Sequence, residues 1–261
     1  SALGQSALDR RAELEKAHPL IFYPTLFDRV KAPLVVFAMA ALVIYGLYFT
    51  GFTFTRVWNG IGQLGTFIVY MVPPSYGTTA KLMTYLHALA ETIAIAFLGT
   101  ILAALLAVPL GFLAARNAMA NRLVQFMSRR FLDTIRGVDT LIWALIWINV
   151  VGLGPFAGVL AIMTSDIGSF GKLFSEAIEA VDKKPSEGVV STGGSFLHRL
   201  RFGIFPEVVP VMASQVLYYI ESNTRSATII GIVGAGGIGL LLSEKIRTLE
   251  WQEVSFLIIL I

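Results

Sequence analysis

Residues 173–206 read LFSEAIEAVDKKPSEGVVSTGGSFLHRLRFGIFP, and their setting decides the fold. The stretch is polar and basic, yet it lies between two apolar runs, 156–172 and 206–230. Inside it Glu187-Gly188-Val189 is followed four residues later by Gly193, and Phe205-Pro206 closes it before the next apolar run. A loop this long, in a chain with few other soluble parts, predicts a partner to hold. It transmits force only if it is stiff, so short helices are expected. Lys183-Lys184-Pro185 supplies a helix start, because Pro fits the first turn. Thr192-Gly193-Gly194-Ser195 supplies a bend that glycine backbone angles permit. Ser195 then caps a second helix over 196–205.

The surrounding composition is that of a membrane protein. Of 261 residues, 56% are hydrophobic and 14% charged, against about 25% charged in soluble domains. Mean hydropathy is +0.73. With no cysteine there is neither a disulfide framework nor a thiolate metal site. His18, His87 and His198 are scattered, so no metal cluster is expected. A net charge of +3 gives no argument for nucleic acid. The polar prefix carrying Asp9, Arg10, Arg11, Glu13, Glu15 and Lys16 is too long and too mixed for a signal peptide, so the first apolar run is read as a permanent helix. The chain lacks an initiator Met and stops inside the apolar run Phe256 to Ile261, so the natural protein is expected to continue.

Along the chain, residues 5–17 predict a short polar helix and 18–32 an aromatic, basic stretch suited to the water–bilayer interface. Apolar spans are expected at 33–50, 91–115, 137–153, 156–172, 206–230 and from Trp251 onward, about six transmembrane helices in an all-α polytopic fold. Residues 51–72 predict an interfacial helix and a turn. The small residues Ala94, Ala96, Gly99, Ala103, Ala104, Ala107 and Gly111 predict close helix approach. The domain division is 1–32 (N-terminal cytoplasmic or interfacial segment), 33–90 (first helix and external segment) and 91–261 (core with the cytoplasmic loop 173–206). The N-terminus, 116–136 and 172–205 hold 15 of the 20 Lys and Arg residues, five each, and alternating spans put all three on one side. By the positive-inside rule that side, with the N-terminus, is the cytoplasm.

Two further stretches carry chemistry. In Glu221-Ser222-Asn223-Thr224-Arg225-Ser226-Ala227-Thr228, late in the fifth span, Glu221 and Arg225 stand i,i+4 in the favourable order. Gln215, Tyr219, Ser222 and Ser226 share a helical face. A lone charge in mid-bilayer costs about 2.5–3.5 kcal/mol on insertion scales. One reading makes this face, with Thr228, part of a translocation path in which Arg225 helps an anion pass; the other makes Glu221 and Arg225 a structural pair near the outer interface. Residues 231–239 contain a literal G-x-G-x-x-G at Gly234, Gly236 and Gly239. A dinucleotide site needs a preceding strand and an acid about 20 positions on; a membrane helix precedes it and Ile259 stands there, so a turn with close backbone packing is expected. The only Gly-Lys, Gly171-Lys172, is followed by Leu173, and no G-x-S-x-G occurs. The chain is not expected to bind and split ATP by the P-loop route, so any ATP energy is expected to arrive through a partner.

The loop pattern Glu187, Gly193, Pro206 resembles the "EAA" loop of ABC importer permeases, with Gly188-Val189 in place of the two alanines. Val151 to Ala161 (VGLGPFAGVLA), Ser175 to Ala180 (SEAIEA) and Tyr218 to Gly239 (YYIESNTRSATIIGIVGAGGIG) resemble the permease subunit of bacterial phosphonate ABC importers. The resemblance implies a type I importer permease of MetI-like fold, two copies enclosing one pathway in the bacterial inner membrane. It implies two cytoplasmic ATPases that use ATP and Mg, docked on a coupling element of Glu187, Gly188, Val189, Gly193, Gly194, Ser195, Phe205 and Pro206. It implies an external substrate-binding protein as well. Membrane lipid is the other partner; no cofactor is bound and no catalytic residue is expected. Gln215, Glu221, Ser222, Asn223, Arg225, Ser226 and Thr228 form the expected pathway. Similar stretches occur in phosphite permeases, and an importer of another small solute such as an amino acid would keep the same loop. A channel or a lipid enzyme are the readings from other classes.

Overall fold

The computed structural model describes residues 26–119 and 121–261. The expected polar helix 5–17 and the interfacial stretch up to residue 25 lie outside them. The described residues are helical, without strands, and the chain divides into two compact units, 1–66 and 67–261.

In the first unit, helix α1 (Leu26–Phe49) ends at a turn where Gly51 takes φ +66°. Helix α2 (Phe54–Met71) starts beyond it, bent by 61° from the preceding helix, and its residues from Phe67 onward count with the second unit.

The second unit is built on α3 (Thr79–Ala114), whose 36 residues extend about 54 Å, well beyond a bilayer core of about 30 Å. Thr78 caps it, its Oγ1 accepting from the Lys81 N–H. Then come α4 (Arg122–Arg136), α5 (Thr140–Val151), α6 (Pro155–Ala180), α7 (Lys183–Ser191), α8 (Phe196–Ile232), α9 (Gly237–Arg247) and α10 (Trp251–Leu260). Between α4 and α5 the chain turns by 86°, and the Asp139 carboxylate caps the new helix by accepting from the Leu141 N–H at 2.8 Å.

The centre of the unit is α6 packed along α3, and small residues set the approach. Ala96, Ala103 and Ala107 are fully buried. A Cβ on Gly99 would lie 2.8 Å from Ile162, and one on Gly111 would lie 2.9 Å from Phe174 Cβ. Between apolar helices in lipid, association comes from such packing rather than from transfer out of water. On the other side of α6, Leu132 of α4 sits in a notch over Gly168 and Gly171: a Cβ on Gly171 would come within 2.4 Å of Leu132 Cδ2. This contact fixes the rotation of α4.

By length and composition α3 and α8 each suffice to cross a membrane. The pairs α1–α2 and α4–α5 pass only as bent spans. Helix α6 has the length but carries Asp166, Lys172, Glu176 and Glu179, and α10 is apolar but only 10 residues long. Each of the six expected apolar runs coincides with a helix, namely α1, α3, α5, α6, α8 and α10. The fold is a helical, polytopic membrane fold. The boundaries around the loop differ from expectation: α6 does not end at 172 but runs to Ala180, because Phe174 and Ile178 keep the core face of the helix buried. The polar connection is therefore 181–195, about half the expected length.

Candidate coupling and translocation site

The connection after α6 is a helical elbow. Asp182 caps α7, its side chain accepting from the Lys184 N–H at 3.1 Å, and Pro185 falls in the first turn. Gly193 takes φ +79°, which reverses the chain. Ser195 and His198 then form a reciprocal cap: the Ser195 hydroxyl accepts from the His198 N–H at 3.5 Å, and His198 Nδ1 accepts from the Ser195 N–H at 3.3 Å. Helix α8 begins there, passes through a π-helical turn at Arg199–Ile204 and continues as α-helix from Phe205. Gly203 lies against α7, where a Cβ would meet Ser186 Cα at 2.7 Å. Glu187, Gly188, Val189, Gly193, Gly194 and Ser195 thus gather on α7 and its turn. Phe205-Pro206 stands beyond the π-turn, inside α8.

The elbow is tied to the membrane helices. Arg199 Nη2 donates to the Asn117 carbonyl at 2.7 Å, and Asn117 Nδ2 donates to the Ile178 carbonyl at 2.7 Å. Arg129 pairs with Glu179 and donates from Nε to the Ala114 carbonyl at 2.9 Å. The Asp182 N–H donates to Glu207 at 3.4 Å. A cavity of about 240 Å³, lined by Asn117, Asp182, Ser186, Glu187 and Arg199 among others, remains under α7. These bonds join the residues that flank α7 to the ends of α3, α4 and α6 and to α8.

On α8 the polar segment divides between two faces. Glu221 and Arg225 pair on the outward side and expose 62% and 65% of their side chains. Ser214, Leu217, Tyr218 and Ile229 extend that exposed stripe. Ser222, Ser226 and Thr228 are half-buried, and the hydroxyls of Ser226 and Thr228 turn back to carbonyls one helical turn earlier. The Gln215 carboxamide oxygen is buried with no hydrogen bond among the described residues. Asn223 stands about 200° around the helix from Arg225 and faces the interior. Its Nδ2 donates to Thr100 Oγ1 at 2.8 Å and to the Asp166 carboxylate, joining α8, α3 and α6 through three buried polar side chains. Sequence reasoning grouped Asn223 with Arg225. The signal for the other grouping was Asp166, an acid set within the apolar stretch 155–171 of α6, which needs a donor from a neighbour.

A second cluster that sequence reasoning missed ties the start of α3 to the α9–α10 turn. Glu253 accepts from Tyr85 and Lys81, and Lys245 lies 3.0 Å from Glu253 and 2.8 Å from Glu250. The glycine-rich break does what its composition predicted. Glu91 and Thr92 of α3 accept the Gly237 and Ile238 N–H groups, both at 2.8 Å, so side chains of α3 cap α9. Gly231 and Gly239 meet backbone to backbone, and a Cβ on Gly239 would fall 1.9 Å from the Thr228 carbonyl. No phosphate cradle is involved. Among the described residues no group of histidines and carboxylates is arranged to hold a metal.

The comparisons with known proteins agree with this architecture. Residues 107–261 match the model of the family described as "Binding-protein-dependent transport system inner membrane component". The chain belongs to this family.

As a member it is a multi-pass permease and not an enzyme; an importer of this class works with an ATPase and a substrate-binding protein. Relatives include the putative phosphite transport system permease HtxC of Stutzerimonas stutzeri, 39% identical over 82% of this chain and 75% of the relative. The phosphate-import permease PhnE of Mycolicibacterium smegmatis is 36% identical over 80% of this chain and 38% of the relative. The putative cryptic phosphonate permease PhnE2 of Escherichia coli is 45% identical over 40% of this chain and 84% of the relative. Among solved structures, the MetNI methionine ABC transporter in an inward-facing conformation matches with a TM-score of 0.60 at 16% identity, covering 70% of this chain and 92% of that one. This likeness concerns the fold alone.

Proposed function

We propose that this permease forms the pathway by which a phosphonate or a related phosphorus oxyanion, phosphite or phosphate, enters a bacterial cell. Three relatives are named for those anions. The observation that carries the reading is the exposed Glu221–Arg225 pair late in α8. Charges on a membrane-length helix are expected to face protein or water rather than lipid. We take the stripe from Ser214 through Tyr218, Glu221 and Arg225 to face a second copy of the chain across a water-filled path, with Ser222, Ser226 and Thr228 at its edge. Arg225 supplies one cation held by a neighbouring acid, a grip weak enough to release an anion. Asn223 contributes by fixing α8 rather than by touching substrate.

In this reading two ATPases grip α7 and the residues Glu187 to Ser195, and ATP with Mg is used there. The tie from Arg199 to Asn117 and on to Ile178 carries their closure to the membrane helices. A ligand shifts a conformational balance only through different affinity for the two states, and the elbow is where that difference enters. The N-terminus, residues 116–136 and residues 172–205 are cytoplasmic in this reading, because they carry 15 of the 20 Lys and Arg residues. The test is reconstitution with the cognate ATPase and binding protein, with ATP turnover and uptake scored on phosphonates, phosphite, phosphate and amino acids. Turnover stimulated by phosphorus oxyanions is expected, and Arg225→Ala should cut uptake while assembly stays intact. Stimulation by amino acids alone would overturn the substrate class. Normal uptake by Arg225→Ala would remove the role given to Arg225.

A further inference from the structure

We propose that the α3–α4 turn holds the headgroup of an anionic phospholipid, with the lipid's chains lying on the outer ridge of α4. Arg116, Met119, Arg122 and Gln125 line a cavity of about 490 Å³, within the roughly 300–1,000 Å³ of small-molecule sites. The other arginines nearby are committed. Arg129 is paired with Glu179, and Arg130 with Asp133. Glu179 also accepts the backbone N–H of Arg116 at 2.7 Å, so it is occupied twice. The guanidinium groups of Arg116 and Arg122 have no carboxylate partner among the described residues. Two uncompensated cations and the Gln125 amide, around one cavity, are complementary to a phosphodiester.

The second observation concerns what lies beside the cavity. Leu123, Phe126, Met127 and Phe131 fall on one side of α4 and are 68%, 52%, 56% and 54% exposed. Leu132, on the opposite side, is locked over Gly168 and Gly171, so α4 cannot rotate to hide the ridge. Arg130 stretches across it with its guanidinium 5.2 Å from the Phe126 ring centroid, its stem covering apolar surface. An apolar ridge leading into a basic cavity fits a molecule with acyl chains at one end and a negative phosphate at the other. Basic pockets of this kind at the cytoplasmic side recognise anionic headgroups. The proposal rests on the cytoplasmic placement of this turn in the preceding section but not on the transported substrate.

The test uses the full chain purified in detergent and titrated with fluorescent phosphatidylglycerol, with phosphatidylcholine as the neutral comparison. Wild type should bind phosphatidylglycerol in preference. Arg116→Gln/Arg122→Gln should weaken it about thirty-fold, while Arg116→Lys/Arg122→Lys keeps most of the affinity. Size-exclusion profiles show whether each variant is folded; should the Gln pair fail to fold, Leu123→Ser/Phe126→Ser must weaken the lipid by the same logic. Millimolar inorganic phosphate should not displace the lipid. Equal binding of both lipids, unchanged affinity in folded Gln and Ser variants, or full displacement by inorganic phosphate would each overturn the proposal. None of these results bears on which solute the permease transports, which the uptake panel decides separately.

Discussion

Replacing Asn223 with Leu isolates the polar link at the centre of the protein. Asn223 is the hydrogen-bond donor to Asp166 and also donates to Thr100 Oγ1 at 2.8 Å, and all three side chains are buried. Asn223→Leu leaves the Asp166 carboxyl unsatisfied. Thr100 is less affected, because its hydroxyl still donates to the Ala96 carbonyl at 2.6 Å. An unsatisfied buried group costs about 1–3 kcal/mol in soluble proteins. Inside membranes, hydrogen-bond couplings average about 0.6 and reach about 1.7 kcal/mol, so a loss of about 1–2 kcal/mol is expected here. For a chain of this size that is about 2–8 °C in thermal midpoint, readable by size-exclusion after heating in detergent. Removing both partners should be milder than removing one, so Asn223→Leu/Asp166→Leu should recover most of the loss. A wild-type midpoint for Asn223→Leu, or a double variant that loses the sum of the two single losses, would refute the reasoning. A residue that merely lined the path would change uptake and leave the midpoint alone.

Gly239→Ala should prevent the α8–α9 hairpin from closing, since its Cβ would fall 1.9 Å from the Thr228 carbonyl; backbone cannot yield as a side chain does, and the loss should exceed the about 1–3 kcal/mol of ordinary overpacking, seen as absence of folded protein after extraction. Ser195→Ala removes the cap at the start of α8 and should cost about 1 kcal/mol locally, raising amide exchange over 196–204 with little change in global melting. In the α9–α10 turn, the hydrogen bond from Lys245 holds the Glu250 carboxyl below its ordinary 4.5. A depressed carboxylate stabilises the fold above that pH and the contribution is lost as pH falls through the lower, folded value. Melting should therefore drop on acidification below about pH 4.5, and Glu250→Gln should flatten that drop; an unchanged slope would count against the cluster.

Much of the elbow was legible because its signals are local. A Pro after two lysines, a Gly at the reversal and a Ser before an apolar run each act within a turn of themselves, and α7, Gly193 and the Ser195 cap stand where those rules put them. The small-residue stripe of α3 was legible for the same reason, since only small side chains admit a close neighbour. The lost information is pairwise. The sequence shows that Asn223 lies on a helix, but not that its partners are Thr100 and Asp166, 123 and 57 residues away. The polar, basic character of 173–206 marked 173–180 as loop; burial of Phe174 and Ile178 against α3 and α8 overrode it. The cluster of Lys81, Tyr85, Lys245, Glu250 and Glu253 is invisible along the chain because its members come from three separate elements.

The loosely wound segment at Arg199–Ile204 carries a mechanical corollary. Rewinding it to the ordinary pitch would release one residue, which amounts to about 1.5 Å of travel and about 100° of twist. The part above Phe205 need not turn for that to happen. A force applied at the Phe196 end of α8 would thus meet a stepwise joint with two settings rather than a spring.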